Sequence, residues 1–238
     1  MKNIPYPRFT IAYLLLSLVV IGSDYFSLEW TYYLSKPLVL VLIYFFFRTL
    51  TMTARNKRFK NLMLAGFLFS SAGDFFLMLK GINQNYFLIG LIAFLAAHIL
   101  YSSGFIIDIL DKRPWTQHWG QLAFSTLIVV YGAEFFILNR TSFADLYFPI
   151  MIYCFAIAFM GVSAVMRDKY KNQQGYFKVL AGAVFFIISD SLLATNTFIS
   201  PFPFSGTLIL STYFIAQYLI ATGCLLDLES EKKLSSVK

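Results

Sequence analysis

Two aspartates interrupt stretches of sequence that are otherwise apolar, and they are the residues of this chain best suited to chemistry. Asp74 lies in Phe69–Met78, within a segment that is predominantly apolar from Leu62 to Leu79, and Asp190 lies in Ile187–Leu192. An ionisable side chain inside a membrane-spanning segment is rare and costly, and it commonly marks a functional site. The two stretches therefore predict aspartates that face each other across a helix bundle.

A pair of buried carboxyl groups is typical of acid–carboxylate catalysis. Two nearby carboxylates resist ionising together, so one can keep a proton while the other carries a charge. Glycoside cleavage through an oxocarbenium-like state uses this division. A vinyl ether is cleaved by related chemistry: its β-carbon is protonated, water adds, and the hemiacetal breaks into an aldehyde and an alcohol. The pair predicts the type of catalysis but does not identify the substrate.

The composition indicates that the surroundings of this pair are a membrane. The chain is 58% hydrophobic and 13% charged, with a mean hydropathy of +0.68, whereas soluble domains carry about 25% charged residues. Its 27 Phe and 15 Tyr suit lipid-facing and interfacial positions. The net charge of +7 does not require nucleic acid, and we expect membrane lipid rather than nucleic acid as the partner.

Apolar segments of spanning length are arranged along the whole chain with short connections. A spanning helix needs about 20 predominantly apolar residues. By this criterion residues 1–238 form a single integral-membrane domain, an all-α polytopic bundle of eight transmembrane helices. The predicted spans are about 9–26, 33–50, 61–79, 85–107, 119–138, 147–166, 176–198 and 205–226.

The basic residues predict the orientation of these spans. Of the 19 Lys and Arg residues, only Lys36, Lys80 and Arg140 fall at the odd-numbered connections. Cytoplasmic connections carry the excess of Lys and Arg. We therefore expect a multi-pass protein of the cell membrane with both termini in the cytoplasm.

A weak internal repeat relates the two aspartates. The third and seventh spans align on them, with SSAGDFFLM against FIISDSLLA. Four spans separate the copies, so both copies run in the same direction, which is consistent with two parallel four-helix halves. In that arrangement Asp74 and Asp190 are pseudo-equivalent and lie at similar depth.

Further polar side chains are grouped by helical spacing. His98 and Tyr101 share one face of the fourth span, and Tyr213 and Gln217 share one face of the eighth. Lys36 opens the second span near its outer end. Ser70 precedes the first aspartate by four residues, so its hydroxyl could bond that carboxylate.

Other catalytic arrangements remain open from the residues alone. A Ser–His–Asp triad from Ser189 or Ser191 with His98 is conceivable. A zinc site normally needs three or four ligands, and the chain has only two His. We expect no cofactor and no metal, although the sequence leaves open a mixed site of His98, Asp74 and Asp190.

Five short motifs occur in order on five spans, between about residues 36 and 223. They are Lys36-Pro37, Phe69-Ser70-x-x-Gly73-Asp74-x-x-Leu77, Gly90-Leu91-x-x-Phe94-x-x-Ala97-His98-x-x-Tyr101, Ser189-Asp190 and Tyr213-x-x-Ala216-Gln217-x-Leu219. With these motifs the chain resembles the YhhN family of multi-pass membrane proteins, whose characterised members are lysoplasmalogenases.

The resemblance implies an eight-helix hydrolase acting on a lysophospholipid. It would cleave the vinyl ether of lysoplasmenylethanolamine or lysoplasmenylcholine to a fatty aldehyde and a glycerophospho-headgroup. Asp74 and Asp190 would be the catalytic acid and carboxylate, and Lys36 would contact the substrate phosphate. The other substrate-binding residues would be His98, Tyr101, Ser189, Tyr213 and Gln217.

A proton-coupled transporter or a lipid scramblase is the alternative function. Parallel halves with carboxylates near the midplane also suit alternating access. The spans have few internal Gly or Pro breaks, and the prolines lie at or near predicted span ends, which favours the enzyme. The oligomeric state is left open.

Overall fold

The computed structural model describes residues 6–107, 118–169 and 172–236, and these residues form eight α-helices without a β-strand. The predicted all-α bundle is confirmed. Each helix overlaps one predicted span. The helices are α1 (Pro7–Tyr25), α2 (Glu29–Leu50), α3 (Lys57–Met78), α4 (Asn85–Ile107), α5 (Trp119–Asn139), α6 (Tyr147–Val165), α7 (Gln173–Ala194) and α8 (Ser205–Ser236).

Seven helical stretches of the described residues are long and apolar enough to cross a membrane. One of these stretches contains two helices. This stretch, Trp119–Val165, has 47 residues and would be about 70 Å long as one helix, twice the apolar thickness of a bilayer. It folds back instead as α5 and α6. Gln121, near the start of α5, bonds the carbonyl of Val165 at the end of α6, and Phe136 contacts Tyr147 at the other end. Eight helices therefore have spanning length.

Helix ends differ from predicted span ends where polar residues continue a helix. The second helix begins at Glu29 rather than near residue 33, and the eighth continues to Ser236 rather than ending near 226. Hydropathy detects the apolar layer, whereas backbone hydrogen bonds persist through any residues that tolerate a helix.

The outside of the bundle is apolar. Leu18, Leu138, Phe148 and Phe155 are each more than half exposed. Side chains of this kind suit contact with hydrocarbon rather than water. Together with the length and composition of the helices, this surface makes the chain a multi-pass membrane protein.

The pairs α3–α4 and α7–α8 form the two most extensive helix interfaces of the described residues. Helices α3 and α7 each have 22 residues, and Asp74 and Asp190 are both the eighteenth. The tenth residue of each is a glycine at a close contact: Gly66 lies under the Tyr101 ring, and Gly182 lies against the α8 backbone. This correspondence is in line with the internal repeat.

Candidate active site

A polar cavity of about 420 Å³ lies at one end of the bundle. Its walls come from the ends of α1, α3 and α7, from the first halves of α2 and α8, and from Phe94 of α4. This is the end of the bundle where the odd-numbered connections lie. Asp74 and Asp190 both line it. The other charged or hydrogen-bonding side chains of the wall are Asp24, Tyr32, Lys36, Lys80, Ser189, Asn196, Ser205 and Tyr213. Two carboxyl groups from α3 and α7 thus face one space.

Asp74 has a partner on each carboxylate oxygen. Its Oδ1 is 3.6 Å from the Nζ of Lys36, and its Oδ2 accepts a hydrogen bond of 2.8 Å from the hydroxyl of Tyr213. Its side chain is only 3% exposed. An adjacent ammonium group and a hydroxyl donor both stabilise the charged form of a buried carboxylate.

Lys36 is held inside the helix rather than at its beginning. Since α2 begins at Glu29, Lys36 lies about two turns inside it and is buried. Its ammonium also donates to the hydroxyl of Tyr32, 3.0 Å away. Pro37 consequently lies within α2, so the expectation that prolines lie near helix ends is wrong at this position. The first turn of α2 contains polar residues, so hydropathy placed the beginning of the second span about four residues too late.

Asp190 has different neighbours. Its Oδ2 accepts a hydrogen bond of 2.5 Å from the hydroxyl of Tyr153 and lies 3.2 Å from the Nε2 of His98. Among the residues that the structure describes, no Lys or Arg lies within ion-pair distance of it. Its side chain is 12% exposed, more than that of Asp74.

His98 stands behind Asp190 and does not line the cavity. It is fully buried, with Nε2 3.0 Å from the Tyr153 hydroxyl and Nδ1 3.3 Å from the sulfur of Met160. The ring of Phe186 packs edge-on against it, with centroids 4.8 Å apart. The histidine can therefore orient the aspartate but cannot reach a molecule in the cavity directly.

The conceivable serine triad is not assembled. The hydroxyl of Ser189 donates to the carbonyl of Ile209, 3.1 Å away. The hydroxyl of Ser191 donates to the carbonyl of Ile187, 2.7 Å away. Both ring nitrogens of His98 face other groups, so neither serine hydroxyl bonds the histidine. Ser189 nevertheless lies on the cavity wall.

Tyr101 and Gln217 lie below the cavity rather than on its wall. The Tyr101 hydroxyl donates to the Oε1 of Gln217, 3.0 Å away, and lies 3.3 Å from the Oγ of Ser70. Ser70 therefore bonds Tyr101 and not Asp74, contrary to the expectation from spacing. These fully buried contacts join α3, α4 and α8 beneath the first carboxylate.

Several polar residues of the site were not predicted, among them Tyr153 and Asp24. Tyr153 carries the only described hydroxyl bonded to Asp190, and its signal was a phenol inside an apolar span, which needs a partner when buried. Asp24 lies at the end of the first predicted span, where an acidic residue gives no sequence signal of a functional role. Its carboxylate packs against Gly206 at the beginning of α8 and lines the cavity.

The mixed metal site that the sequence left open has no counterpart among the described residues. No group of three or more His, Cys, Asp or Glu side chains in this part of the chain lies close enough to hold a metal ion. His98 faces Asp190, whereas Asp74 faces Lys36.

Comparisons with known proteins give one family and relatives that share one kind of name. The sequence profile of the YhhN family matches residues 31–224. "Lysoplasmalogenase TMEM86A" of Homo sapiens is 32% identical over 162 residues, 67% of this chain and 63% of that protein. The Bos taurus protein of the same name is 31% identical over 181 residues, 74% of this chain and 71% of that protein. "Lysoplasmalogenase TMEM86B" of Sus scrofa is 30% identical over 135 residues, 57% of this chain and 52% of that protein.

The matched segments span less than two thirds of the length of the human and pig relatives. No solved structure matches the chain.

Proposed function

This chain belongs to the YhhN family, and we propose that it is a membrane hydrolase that cleaves the vinyl ether bond of lysoplasmalogens. The substrates would be lysoplasmenylethanolamine or lysoplasmenylcholine, and the products a fatty aldehyde and a glycerophospho-headgroup. The names of the relatives support this activity. The observation that carries it is the presence of Asp74, Asp190 and Lys36 on one cavity wall.

Lys36 is suited to the substrate phosphate. Its ammonium lines the cavity while keeping Asp74 and Tyr32 as neighbours. An ammonium group binds phosphate as a point charge. A headgroup beside Lys36 would leave the glycerol and the ether bond to extend toward the two aspartates.

The neighbours of each carboxyl group favour different roles. Lys36 and Tyr213 hold both oxygens of Asp74, which suits a group that stays charged. Asp190 has no described Lys or Arg within ion-pair distance and is the more exposed of the two carboxyl groups, so it is the one better placed to meet a substrate as the acid. We assign Asp190 as the general acid and Asp74 as the carboxylate.

The first half of the reaction forms a hemiacetal. The proton of the Asp190 carboxyl passes to the β-carbon of the vinyl ether, and the π electrons form the new C–H bond. The resulting oxocarbenium ion is stabilised by the negative charge of Asp74. Water then adds to the α-carbon, and its proton passes to Asp74.

The second half returns both aspartates to their starting states. The hemiacetal hydroxyl gives its proton to the Asp190 carboxylate as the carbonyl forms. The bond to the glycerol oxygen breaks, and that oxygen takes the proton held by Asp74. The net reaction consumes one vinyl ether and one water, and it releases one aldehyde and one alcohol.

The position of the cavity bears on its access. Its wall is formed by those halves of the helices that lie beside the odd-numbered connections, which the charge distribution predicts to lie outside the cytoplasm. We therefore infer that both termini are cytoplasmic and that the substrate enters from the outer leaflet. Protease protection of tags placed at either end would test this orientation.

The activity is tested with purified protein in detergent. Aldehyde release from lysoplasmenylethanolamine is expected for the natural chain. The saturated alkyl ether with the same headgroup should give no aldehyde, because it has no π bond to protonate. If Asp74→Asn and Asp190→Asn both release aldehyde at the natural rate, the mechanism is wrong.

The same measurement separates an enzyme from a transporter or scramblase. An enzyme turns over its substrate in detergent micelles, whereas a transporter requires a sealed vesicle. Lipid movement in vesicles combined with no aldehyde release in detergent would replace the hydrolase with the alternative function.

A further inference from the structure

A narrow apolar groove adjoins the polar cavity on the side of Asp190. It runs between α5, α6 and α7, with α4 at its base. Its wall includes Ile128 and Gly132 of α5, Ile157 and Ala158 of α6, and Ile187 of α7. Almost all of the surface that it offers is hydrocarbon.

The few polar groups of this groove are already engaged. The Tyr131 hydroxyl donates to the Oγ of Ser191, 2.9 Å away, and that serine donates to a backbone carbonyl. The Tyr153 hydroxyl donates to Asp190. A polar ligand would find little to bond here, whereas an alkyl chain loses nothing by contact with this wall.

The groove and the cavity share part of their walls. Leu77, Phe94, Asp190 and Leu193 line both. Asp190 is the ionisable member of this shared wall. A single molecule could therefore extend from Lys36, past both aspartates, into the groove.

We propose that this groove is the binding site for the hydrocarbon chain of a single-chain ether lipid. The proposal rests on the proposed function for the identity of that lipid. The order of chemical groups along the lipid is phosphate, glycerol, ether oxygen and chain. The order along the site is Lys36, Asp74, Asp190 and groove, so polarity decreases in the same direction in both.

Seating the chain in the groove also determines which aspartate meets which carbon. The β-carbon of the vinyl ether lies on the chain side, next to Asp190 at the junction. The α-carbon lies on the headgroup side, nearer Asp74. This order agrees with protonation by Asp190 and water addition beside Asp74, and it gives the groove a positioning role.

The experiment maps where the hydrocarbon chain binds rather than how tightly. Detergent and lipid tails are as apolar as the groove, so the affinity of the protein for the lipid would depend little on whether the groove is filled. The probe is a saturated 1-O-alkyl lysophosphoethanolamine with a diazirine near the chain end, which cannot be cleaved. After irradiation, labelled peptides are mapped by mass spectrometry with and without excess unlabelled lysophosphoethanolamine ether. Labels that the competitor removes are expected in α5, α6 and α7 around Gly132, Cys154 and Ala158.

Substitutions that fill the groove should remove these labels. Ala158→Phe places a ring in the groove, and Gly132→Val is a milder second variant because a Cβ at Gly132 meets only Ala158, at 3.5 Å. The matched control is Ile152→Phe, on the exposed face of the same helix α6. Both groove variants should lower kcat/KM for the vinyl ether roughly tenfold or more, because small displacements of a reacting bond cost about a hundredfold. The control should change neither labels nor rate.

The outcomes separate this proposal from the proposed function. Competitor-sensitive labels in the groove without aldehyde release by the natural chain would keep the groove and overturn the hydrolase. Aldehyde release with competitor-sensitive labels on other helices, or with none, would overturn the groove. Retention of the labels in a folded, monodisperse Ala158→Phe or Gly132→Val protein would also overturn it.

Discussion

The surroundings of Asp74 and Asp190 differ although the two residues occupy the same position in helices of equal length. Helices α2 and α8 bring Lys36 and Tyr213 to Asp74. Helices α4 and α6 bring His98 and Tyr153 to Asp190. The matched positions in α3 and α7 thus place two carboxyl groups on one cavity, while the neighbouring helices give each its own environment.

This difference bears directly on acid–base chemistry. Catalysis by a carboxyl pair requires one member with a proton and one without. In two identical environments, either aspartate would hold the proton equally often. A lysine beside only one member favours the charged form of Asp74, and the greater exposure of Asp190 leaves it accessible to a substrate.

The largest effect is expected from Asp190→Asn. Asparagine keeps the shape and can still accept from Tyr153, but it cannot give a proton to carbon. Aldehyde release should fall by about 100- to 10,000-fold, the usual contribution of general acid catalysis. Asp24→Asn, on the same cavity wall, is the matched control and should stay within a fewfold of the natural rate. Equal losses in both variants would remove the special role of Asp190.

Asp74→Asn should reduce the rate by about 100-fold, the usual cost of removing one electrostatic stabiliser of the transition state, and it should also destabilise the protein. The substitution leaves the ammonium of Lys36 buried without its carboxylate, and breaking a buried ion pair costs about 3–5 kcal/mol. The melting temperature in detergent should fall. The double variant Asp74→Asn with Lys36→Met should recover much of the stability but none of the activity. If activity recovered as well, Asp74 would be only a structural partner of the lysine.

Lys36→Met tests whether Lys36, the neighbour of Asp74, binds the phosphate of the substrate. The KM for lysoplasmenylethanolamine should rise by about tenfold, which corresponds to 1.4 kcal/mol of lost binding. A 1-O-alkenylglycerol, which lacks phosphate, should be cleaved by the variant and the natural chain with similar KM. Lys80→Met, also on the cavity wall, serves as the matched lysine control with a smaller change. An equal rise in KM for both substrates would place the phosphate elsewhere.

Tyr153→Phe and Tyr213→Phe remove one hydroxyl from each side. Each hydroxyl bonds one aspartate, and a hydrogen bond contributes about 0.5–1.5 kcal/mol, or up to about 3 kcal/mol when one partner is charged, so either rate should fall roughly tenfold. The two variants should differ in pH–rate profile, since each perturbs a different member of the carboxyl pair. Superimposable profiles would mean that the two sides are equivalent after all.

The smallest effect on the reaction rate is expected from Gly66→Ala and Gly182→Ala. These substitutions test the close contacts that the tenth residue of α3 and of α7 makes with a neighbouring helix. A Cβ at Gly66 would meet the Tyr101 ring, and one at Gly182 would meet the backbone oxygen of Ala216 at 2.9 Å. Overpacking of this kind costs about 1–3 kcal/mol, so both proteins should melt at lower temperature, Gly182→Ala by more because backbone yields less than a ring. Gly120→Ala, which meets nothing within 4 Å, should melt at or above the natural temperature. A melting temperature unchanged in all three would contradict these close approaches.

Much of the fold was predictable because spanning length and apolar composition are local properties of a sequence. The eight predicted spans overlap the eight helices, and the errors lie at polar helix ends such as Glu29 and Ser236. The two aspartates and Lys36 were also detectable, since a charge inside an apolar run stands out wherever it occurs. Their presence on one cavity follows from the alignment of α3 and α7.

What remained hidden were contacts between distant helices. Tyr153 reads in sequence like any other aromatic residue of an apolar span, and Asp24 like any interfacial acid. Ser70 had the right spacing for Asp74 but bonds Tyr101 instead, because spacing on one helix gives a direction and not a partner.

The sequence by itself determined the number of helices, the family, and the two carboxyl groups at matched positions, because each depends on residues close together in the chain. Only the tertiary structure decided that one carboxyl group meets a lysine, that the other meets a phenol and an imidazole, and that an apolar groove opens beside the second. Those contacts join residues that are 37 to 139 positions apart, and no local pattern specifies which face of one helix packs against another.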